Sequence, residues 1–513
     1  MQFRESVASG KMKREVSRVS IKEELERIAG AGNVLDDEKT LEEYSRDESF
    51  VHPIKPRCVV RVKGSEDPDK THEEVQAIVR WANETSTPLV PLSSGPPHFR
   101  GDTVPSVGGA VVVDMSGMNR IIRVNYREQM AMIEPGVTFT ELIPELEKEG
   151  MRPHMPLIPR GSKSVLGSYL EKEPIIMPRH HWCSIDPILC VRTILGSGDM
   201  LQTGTGAGLW PLEVEWTQKK AQKFWSSEQY DIVKMSQSSQ GTISIITWAS
   251  VKCALLPQIH KLYLVPCDRL EPLIDFAYML LRYRWGEEIL FLNNQNLASI
   301  LAEGKEDIEA LREVLPPYVL ILGIVGLPEF FPEDRVAYQE ADIKELAQRY
   351  GVVPGEAMPG VSGEEVKRAL YTPTDGIPWK LRSKGGCQDV FFVTTLDRTP
   401  EFIKVMYTQA ETYGYPATDM GIYLQPIVQG TSCHCEFNLT YDPADPRETD
   451  KVKRLITEGA RVLVDKGGYF YRPYGPWKEI AYSRVSGEEF AALKKMKRIF
   501  DPKGILNPGK ACF

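Results

Sequence analysis

Residues 91–105, PLSSGPPHFRGDTVP, lie between two apolar runs with the composition of buried strands, TPLVPL at 87–92 and VGGAVVVDM at 107–115. Two glycines and four prolines within this stretch exclude a continuous helix or strand. Loops of this kind present backbone N–H groups that close on a phosphate. The alternative is an ordinary surface turn, and the stretch by itself leaves both interpretations open.

The overall composition is that of a globular protein without a strongly charged surface. The 513 residues include 62 Lys and Arg against 70 Asp and Glu, a formal net charge of −8. Nucleic-acid binding requires a concentrated basic surface, which argues against nucleic acid as the main partner. No apolar run reaches the ~18 residues that a membrane-spanning helix needs. The N-terminus lacks the apolar core of a secretory signal, so we expect a cytoplasmic protein whose nine cysteines are reduced thiols.

Helical and strand-like periodicities alternate along the first third of the chain, which predicts an α+β domain. A length of 513 residues corresponds to roughly two to four domains. The longest apolar run, YVLILGIVGL at 318–327, is predicted to be a buried strand. The predicted helices are 20–31, 69–85, 139–150, 401–414 and 451–468, and the predicted strands include 58–62, 87–92, 260–267 and 433–443.

Several segments follow one another in an order typical of one family of flavoenzymes. They are PRCVVRVKGSEDPDKTHEEVQAIVRWANETSTPLVPLSSG (56–95), DMSGMNRIIRVN (114–125), EPGVTFTELIPELE (134–147), SVLGS (164–168), GSGDMLQTGTGA (196–207), SQSSQGTISIIT (236–247) and FDPKGILNPGK (500–510). With these segments the chain resembles the vanillyl-alcohol oxidase and para-cresol methylhydroxylase family over nearly its whole length.

The resemblance implies an α+β fold of the PCMH type (the FAD-binding fold of para-cresol methylhydroxylase). In that fold, N-terminal and C-terminal segments build one FAD-binding domain, and an α+β cap domain closes the substrate cavity. The corresponding boundaries in this sequence are a helical lead-in at 1–49, the FAD-binding domain at 50–257 plus 466–513, and the cap at 258–465.

The resemblance also implies FAD as the cofactor and assigns the opening loop to its diphosphate. It places Ser93, Ser94, Gly95, Pro96 and Gly101 in the diphosphate loop, Pro135, Gly136 and Val137 beside the flavin or its ribityl chain, Gly167 and Ser168 in a glycine-containing turn, Gly241 and Ile243 at the isoalloxazine, and Lys510 near the flavin.

In the family, two tyrosines and an arginine bind a phenolate, and a hydride passes from the benzylic carbon to flavin N5. Tyr471 and Arg472 of YFYRPY match one Tyr–Arg pair. Two positions depart from the pattern, because Arg100 stands at the second tyrosine and Arg160 at an acidic residue near N5. An arginine stays protonated and cannot replace a carboxylate. We expect Arg100 and Arg160 to bind an anionic substrate, to neutralise FAD phosphates, or to face solvent.

Family members often hold the flavin covalently through a His or Tyr of a cap strand, which corresponds to CHCEFNLTYDP at 433–443. His434 is the chemically familiar candidate, whereas counting along the strand places Cys435 at the linking position. Neighbouring strand residues face opposite sides, so one residue of register decides between them. If neither is linked, FAD is bound without a covalent bond. Cys433, His434 and Cys435 supply too few ligands at poor spacing for a metal site.

The predicted function is therefore that of an FAD-dependent oxidase or dehydrogenase that transfers a hydride from a substrate C–H to flavin N5. The family default is a para-substituted phenol or an aromatic alcohol. The alternatives are a 2-hydroxy acid or another carboxylate, and a catalytically altered subunit of a flavoprotein complex. The resemblance further implies a small-molecule substrate, a homodimer or larger oligomer, and a cytochrome or other electron-acceptor subunit in some members.

Overall fold

The computed structural model describes residues 20–183, 186–203, 232–329 and 331–513. Within these residues, three β-sheets and a two-stranded hairpin organise the fold. None of the described helices is both long enough and apolar enough to cross a membrane.

The first sheet contains the two strands that flank the opening loop. Its elements are β1 (Val34–Leu35), β2 (Cys58–Arg61), β3 (Leu89–Leu92), β4 (Val111–Asp114), α1 (Ile21–Ala29), α2 (Glu38–Glu43) and α3 (Pro68–Thr85). The strand order is β1–β2–β4–β3, with β2, β4 and β3 parallel. Val111, Val112 and Val113 are fully buried, because both faces of these parallel strands are covered. Parallel pairing brings the loop after β3 to the carboxyl edge of the sheet, where ligands commonly bind.

The second sheet is antiparallel and follows directly. Its elements are β5 (Ile121–Asn125), β6 (Met130–Ile133), β7 (Met151–Pro153), β8 (Ile188–Leu195), β9 (Met200–Thr203), β10 (Ser244–Leu255), α4 (Phe139–Lys148), α5 (Val165–Leu170) and α6 (Ile232–Ser236). The order is β5–β6–β10–β8–β9, and β7 extends β10. Helix α4 begins at Thr138, whose side chain forms a capping box with Glu141. The capping box therefore fixes where the turn Glu134–Val137 ends and helix α4 begins.

The third sheet is a six-stranded antiparallel sheet covered by most of the remaining helices. Its elements are β11 (Ile259–Cys267), β12 (Ile289–Asn293), β13 (Tyr318–Gly326), β16 (Gly386–Thr394), β17 (Met420–Ile427), β18 (Ser432–Tyr441), α7 (Leu270–Tyr283), α8 (Asn294–Leu301), α9 (Lys305–Val314), α10 (Pro332–Tyr350), α11 (Gly363–Tyr371), α12 (Thr399–Thr412) and α13 (Pro446–Asp465). The order is β11–β13–β12–β17–β18–β16, and β14 (Ala357–Met358) with β15 (Val361–Ser362) forms the hairpin.

The C-terminal segment returns to the first sheet after α14 (Trp477–Tyr482) and α15 (Gly487–Phe500). The N–H of Leu89 donates to the Ile505 carbonyl at 2.8 Å, and the N–H of Asn507 donates to the Leu89 carbonyl at 2.8 Å. The tail therefore lies along β3, next to the opening loop. This contact agrees with a first domain that is made from both ends of the chain. The boundaries of that domain stay a prediction.

The predicted helices and strands are confirmed, with shifts at their ends. The apolar run at 318–327 is the buried strand β13. The helix predicted at 451–468 begins five residues earlier, as α13, because Asp445 caps it and Pro446 occupies its first position. Apolar periodicity begins only where the helix packs against the sheet, so the sequence pattern missed its exposed first turn.

Replacing Gly136 with alanine is expected to lower the free energy of unfolding by roughly 2–3 kcal/mol. A Cβ at Gly136 would lie 2.4, 2.7 and 2.8 Å from the backbone oxygens of Ser116, Met115 and Met118. Backbone oxygens cannot rotate away as a flexible side chain can. Urea unfolding measures the change. The control is Gly108→Ala, whose Cβ would meet no heavy atom within 4 Å, and equal unfolding midpoints for both variants would contradict the prediction.

Candidate active site

A cavity lies where the opening loop, the third sheet and the C-terminal tail meet. Its enclosed volume is about 260 Å³, just below the ~300–1,000 Å³ typical of a small-molecule site. The first part of the chain contributes residues of the loop after β3, of 156–174 and of 236–246, and the third sheet contributes Asp389, Tyr423, His434 and Glu436. Segments that are far apart in the sequence therefore form one candidate binding site.

One wall of the cavity is a cluster of serines around a glycine. The Ser94 hydroxyl accepts a hydrogen bond from the N–H of Ser164 at 3.1 Å, and the Ser164 hydroxyl accepts one from the N–H of Gly167 at 2.9 Å. A Cβ at Gly167 would lie 3.2–3.3 Å from the hydroxyl oxygens of Ser93, Ser94 and Ser164. Glycine thus keeps open a small space lined by hydroxyl groups.

Residues of the N-terminal and C-terminal segments form hydrogen bonds with the opening loop and hold it in place. The N–H of Gly101 donates to the Asp47 carboxylate at 2.5 Å, and the Lys510 ammonium donates to the Gly101 carbonyl at 2.6 Å. Gly101 has a φ of +71°, and its Cβ would lie 2.3 Å from a methyl carbon of Val51. A side chain at this position would push the loop away from its support. Burial lowers the pKa of Lys510.

Two carboxylates and three cations form a buried cluster on the cavity wall, which we call the charge network: Arg100, Lys163, Glu171, Glu173 and Arg472. The Glu171 carboxylate accepts hydrogen bonds from Lys163 at 2.7 Å and from Arg100 at 3.1 Å. Nη1 of Arg472 lies 3.4 Å from the same carboxylate. Arg472 also donates to the backbone carbonyl of Glu171. Glu173 lies 3.4 Å from Lys163 and 3.7 Å from Arg100. The network has one cation in excess.

Burial and charge act against each other in this network. Burial alone would raise the pKa of Glu173, but Lys163, Arg100 and a hydrogen bond from Ser168 lower it to about 2. Burial alone would lower the pKa of Arg100, but Glu173 and Glu171 contribute to raising it well above its ordinary value. Glu173 and Arg100 are therefore both charged at neutral pH.

Arg160 occupies a separate position at the base of the opening loop. Its guanidinium donates to the Gly95 carbonyl at 3.1 Å and lies 5.7 Å from the centre of the Phe99 ring. Its Nε is buried and has no hydrogen-bond partner among the described residues. Burial lowers its pKa, but a guanidinium remains protonated in proteins. The Nε–H group of Arg160 is therefore available to donate a hydrogen bond to a ligand at the opening loop.

A second polar chain runs from the tail into β18. The Tyr471 hydroxyl lies 3.5 Å from Nδ1 of His434, and Nε2 of His434 lies 2.9 Å from the Glu436 carboxylate. Lys380 donates to the other oxygen of Glu436 at 2.6 Å. Burial opposes the charge of Glu436, but Lys380 and His434 lower its pKa well below the usual range. The carboxylate thus favours the His434 tautomer with hydrogen on Nε2, which leaves Nδ1 as an acceptor.

Strand alternation decides between the two residues predicted for the covalent link. His434 and Glu436 face the cavity, whereas Cys433 and Cys435 are fully buried in the apolar core of the third sheet. The prediction for Cys435 is corrected, because the pleat turns its thiol away from the cavity. For the same reason, the side chains of Cys433, His434 and Cys435 do not converge on one ion.

The predicted site residues fall into two groups. Those that line the cavity are Ser93, Ser94, Arg100, Pro135, Arg160, Gly167, Gly241, His434, Tyr471 and Arg472. Those that lie behind the lining are Gly95, Pro96, Gly101, Gly136, Val137, Ser168, Ile243, Cys435 and Lys510. Both arginines that depart from the family pattern belong to the first group, so the expectation that they face solvent was wrong.

Sequence reasoning missed the acidic residues of the cavity, which are Asp102, Glu171, Glu173, Asp389 and Glu436. The spacing of His434 and Glu436, two residues apart on a predicted strand, was a usable signal because such residues share one face. Glu171 and Glu173 in YLEKEP follow α5 without a strand or helix pattern. Only the fold brings them to Arg100 and Arg472.

Two family models match the chain, one described as an FAD binding domain at residues 69–202 and one as the C-terminal domain of FAD linked oxidases at 331–511. The D-2-hydroxyglutarate dehydrogenase of Stutzerimonas stutzeri is 23% identical over 510 residues, covering 95% of this chain and 98% of that protein. The crystal structure of p-cresol methylhydroxylase with substrate bound has a TM-score of 0.78 at 18% identity, and 4-ethylphenol oxidase from Gulosibacter chungangensis has 0.76 at 18%. Each structural match covers 95% of both chains.

The fold is thus the PCMH-type fold of flavoenzymes, as the sequence predicted. The chain contains segments that match an FAD binding domain and the C-terminal domain of FAD linked oxidases, and it is an FAD-dependent oxidoreductase that acts on a small molecule.

FAD fits the residues that line the cavity. The space at Gly167 is bounded by three hydroxyl groups. Nε of Arg160 and Nε of Arg472 are buried donors without a partner among the described residues. Buried donors of this kind are normally satisfied by a ligand or water. The donor set therefore suits a ligand with a diphosphate and several carbonyl oxygens.

Stability is expected to fall as the pH rises from about 4 to about 6 because of Asp102. Burial and the charge of Glu171 raise the pKa of this cavity carboxyl to about 6, above the ~3.9 of an unfolded chain. The folded protein therefore binds an extra proton in this window, and its contribution, on the order of 2 kcal/mol, is lost above it.

The variant Asp102→Asn is expected to remove this part of the pH dependence. Urea unfolding between pH 4 and pH 7 measures the difference between the wild type and the variant. The control is Asp450→Asn, because Asp450 is exposed on α13. A difference between Asp102→Asn and the wild type that does not change with pH would contradict the prediction.

Proposed function

We propose that this enzyme oxidises the benzylic carbon of a para-substituted phenol or aromatic alcohol. The observation that carries the proposal is the arrangement Tyr471–His434–Glu436 beside Arg472, within one cavity. It combines a hydroxyl donor, a base and a cation, which together bind and deprotonate a phenolic or alcoholic hydroxyl. When bound, FAD supplies the hydride acceptor of the reaction.

His434 is the proton acceptor in this proposal. Its Nδ1 faces the Tyr471 hydroxyl, and Glu436 stabilises the imidazolium that forms when a proton arrives. Burial raises the pKa of Tyr471, so its hydroxyl keeps its proton at neutral pH and donates it to the Lys172 carbonyl at 3.2 Å. A substrate hydroxyl that donates to Tyr471 or directly to His434 can therefore lose its proton to the imidazole.

Arg472, the cation that the charge network holds in excess, stabilises the oxyanion. Arg472 is only 2% exposed, and its Nε lacks a partner among the described residues. Positive charge that is fixed before the reaction stabilises a developing anion more strongly than mobile water does. Trp379, Tyr423 and Tyr471 also line the cavity and provide ring surfaces for an aromatic substrate.

The loop residues serve the cofactor in this proposal. Arg160 lies at the opening loop and has an open donor, so we assign it to the FAD diphosphate together with Ser93 and Ser94. FAD is held without a covalent bond in this proposal, because Nε2 of His434 is bonded to Glu436 and Nδ1 must stay free to accept the proton.

A 2-hydroxy acid is the second candidate substrate. The observation that favours it is the full-length similarity to a protein named D-2-hydroxyglutarate dehydrogenase. Arg100 and Lys163 are both paired with Glu171 and Glu173. A substrate carboxylate would therefore have to bind Arg472, the same cation that stabilises the oxyanion in the first proposal.

The purified enzyme is expected to lose the visible absorbance of its flavin when mixed anaerobically with para-cresol or 4-ethylphenol. D-2-Hydroxyglutarate at the same concentration is expected to leave the absorbance unchanged. Bleaching by the hydroxy acid alone would overturn the phenol proposal in favour of the second candidate. Bleaching by neither compound would remove both substrate classes.

His434→Asn is expected to slow flavin reduction by para-cresol by roughly 10²- to 10⁴-fold, the usual contribution of a general base. Glu436→Gln keeps a hydrogen-bond acceptor but removes the charge, so a smaller loss is expected. The FAD content should equal that of the wild type, and acid precipitation should release the flavin into the supernatant. The control is His52→Asn, because His52 is exposed. Unchanged reduction in His434→Asn, or flavin in the acid pellet, would contradict the assignment.

The oligomeric state, an electron-acceptor subunit and the cytoplasmic location remain parts of this proposal. They rest on the resemblance to the family and on the composition of the sequence. Size-exclusion chromatography coupled to light scattering measures the first of them directly.

A further inference from the structure

Lys380 joins two carboxylates on the wall of the active-site cavity. It lies in the short helical turn Trp379–Leu381, just before β16, and it lines the cavity together with Asp389 and Glu436. Its ammonium donates to the Asp389 carboxylate at 2.7 Å and to the Glu436 carboxylate at 2.6 Å. Burial alone would lower the pKa of Lys380, but Asp389 and Glu436 raise it above its usual range. The ammonium is therefore charged at neutral pH.

The side-chain amide of Asn438 joins the same two carboxylates a second time. It donates to Oδ1 of Asp389 at 2.6 Å and to Oε1 of Glu436 at 2.7 Å. Its oxygen accepts a hydrogen bond from the Asn296 side chain of α8 at 2.7 Å, which sets the orientation of the amide. We call Lys380, Asp389, Glu436 and Asn438 the base network. It holds one carboxylate in excess over its single cation.

The base network faces His434 through one particular oxygen of Glu436. Oδ2 of Asp389 and Oε1 of Glu436 accept from Lys380, and Oδ1 of Asp389 accepts from Asn438. The remaining oxygen, Oε2 of Glu436, lies 2.9 Å from Nε2 of His434. A proton on Oε2 would make Nε2 the acceptor of this hydrogen bond and would move the ring hydrogen of His434 to Nδ1. Nδ1 could then no longer accept a proton.

We propose that Lys380 is a positioning residue that keeps the ring hydrogen of His434 on Nε2 by holding Glu436 in its charged form. Two close carboxylates without a cation share a proton. In the base network such a proton finds a hydrogen-bond acceptor beside Oε2 of Glu436, at Nε2 of His434. Lys380 therefore acts through Glu436, and this inference rests on the proposed role of His434 as the proton acceptor.

NMR of the FAD-loaded enzyme, isotopically labelled on the histidine nitrogens, measures the tautomer of His434 without any substrate. The signal of His434 is the one that is absent from His434→Asn. The ring hydrogen is expected on Nε2 in the wild type and in Lys380→Arg, which keeps the charge, and on Nδ1 in Lys380→Met. The same tautomer in Lys380→Met and in the wild type overturns the proposal.

The pH profile of flavin reduction by para-cresol is the second measurement. His434 is available as a base only where Glu436 is charged, so the loss of Lys380 moves the acid side of the profile to higher pH. The expected shift in Lys380→Met is about 1–3 pH units, the usual effect of one close opposite charge on a carboxylate. Tyr423 and Tyr471 face His434 from β17 and from the tail. Burial raises the pKa of both tyrosines, so neither contributes to the shift.

A double variant separates this positioning role from a merely structural one. At the acid midpoint of the wild type, Lys380→Met is expected to slow flavin reduction by about 10-fold, but by less than about 2-fold in the Glu436→Gln background. Equal losses in the two backgrounds contradict the proposal. Lys380→Gln, which also lacks the charge, takes the place of Lys380→Met if that variant does not retain FAD, with the same expected results.

The matched control is Lys384→Met. Lys384 also joins two carboxylates, those of Asp419 at 2.9 Å and Glu448 at 3.2 Å, but it does not line the active-site cavity. This variant is expected to leave the tautomer of His434 and the pH profile unchanged. If para-cresol fails to reduce the flavin of the wild type, the proposed function is wrong, whereas the NMR measurement still decides the role of Lys380.

Discussion

Glu171 joins three cations that come from three different parts of the chain. Arg100 belongs to the opening loop, Lys163 precedes α5, and Arg472 belongs to the C-terminal tail. Removing a charge from water costs several kcal/mol, and buried ions offset that cost only when their partners are all in place. The loop, the second sheet and the tail therefore depend on one another for their positions. The shape of the active-site cavity depends on this ionic contact more than on any single apolar contact.

The same network limits what the cavity can bind. Two carboxylates compensate most of the charge of Arg100, Lys163 and Arg472, and one positive charge remains. A site with one excess cation stabilises one oxyanion, whereas fully exposed arginines would attract any polyanion. Arg160 lies apart, where the loop carbonyl of Gly95 holds it. The two arginines that depart from the family pattern thus have different surroundings, one in the charge network and the other beside the opening loop, where we propose that it binds the FAD diphosphate.

The sequence predicted most of the fold because the buried strands and amphipathic helices have strong periodicity, as in β13 and α3. It predicted Tyr471 and Arg472 because they are adjacent in the chain and lie in a recognisable motif. The role of Glu171 could not be predicted, because its partners are 71 and 301 residues away and no local pattern marks it. The choice between His434 and Cys435 depended on strand register, which a sequence fixes only to within a residue. The contacts between loops that are distant in the sequence are therefore the part of the candidate site that only the structure shows.

The Arg100 side chain forms part of the wall of the active-site cavity, and contacts on two sides hold it in place. On one side it is paired with Glu171 and Glu173, and on the other it lies over the rings of Phe391 and Tyr474. Swinging the guanidinium away would leave buried carboxylates partly uncompensated, which is far more costly than losing a surface ion pair. The contacts on both sides therefore hold the Arg100 guanidinium at one position in the wall of the active-site cavity.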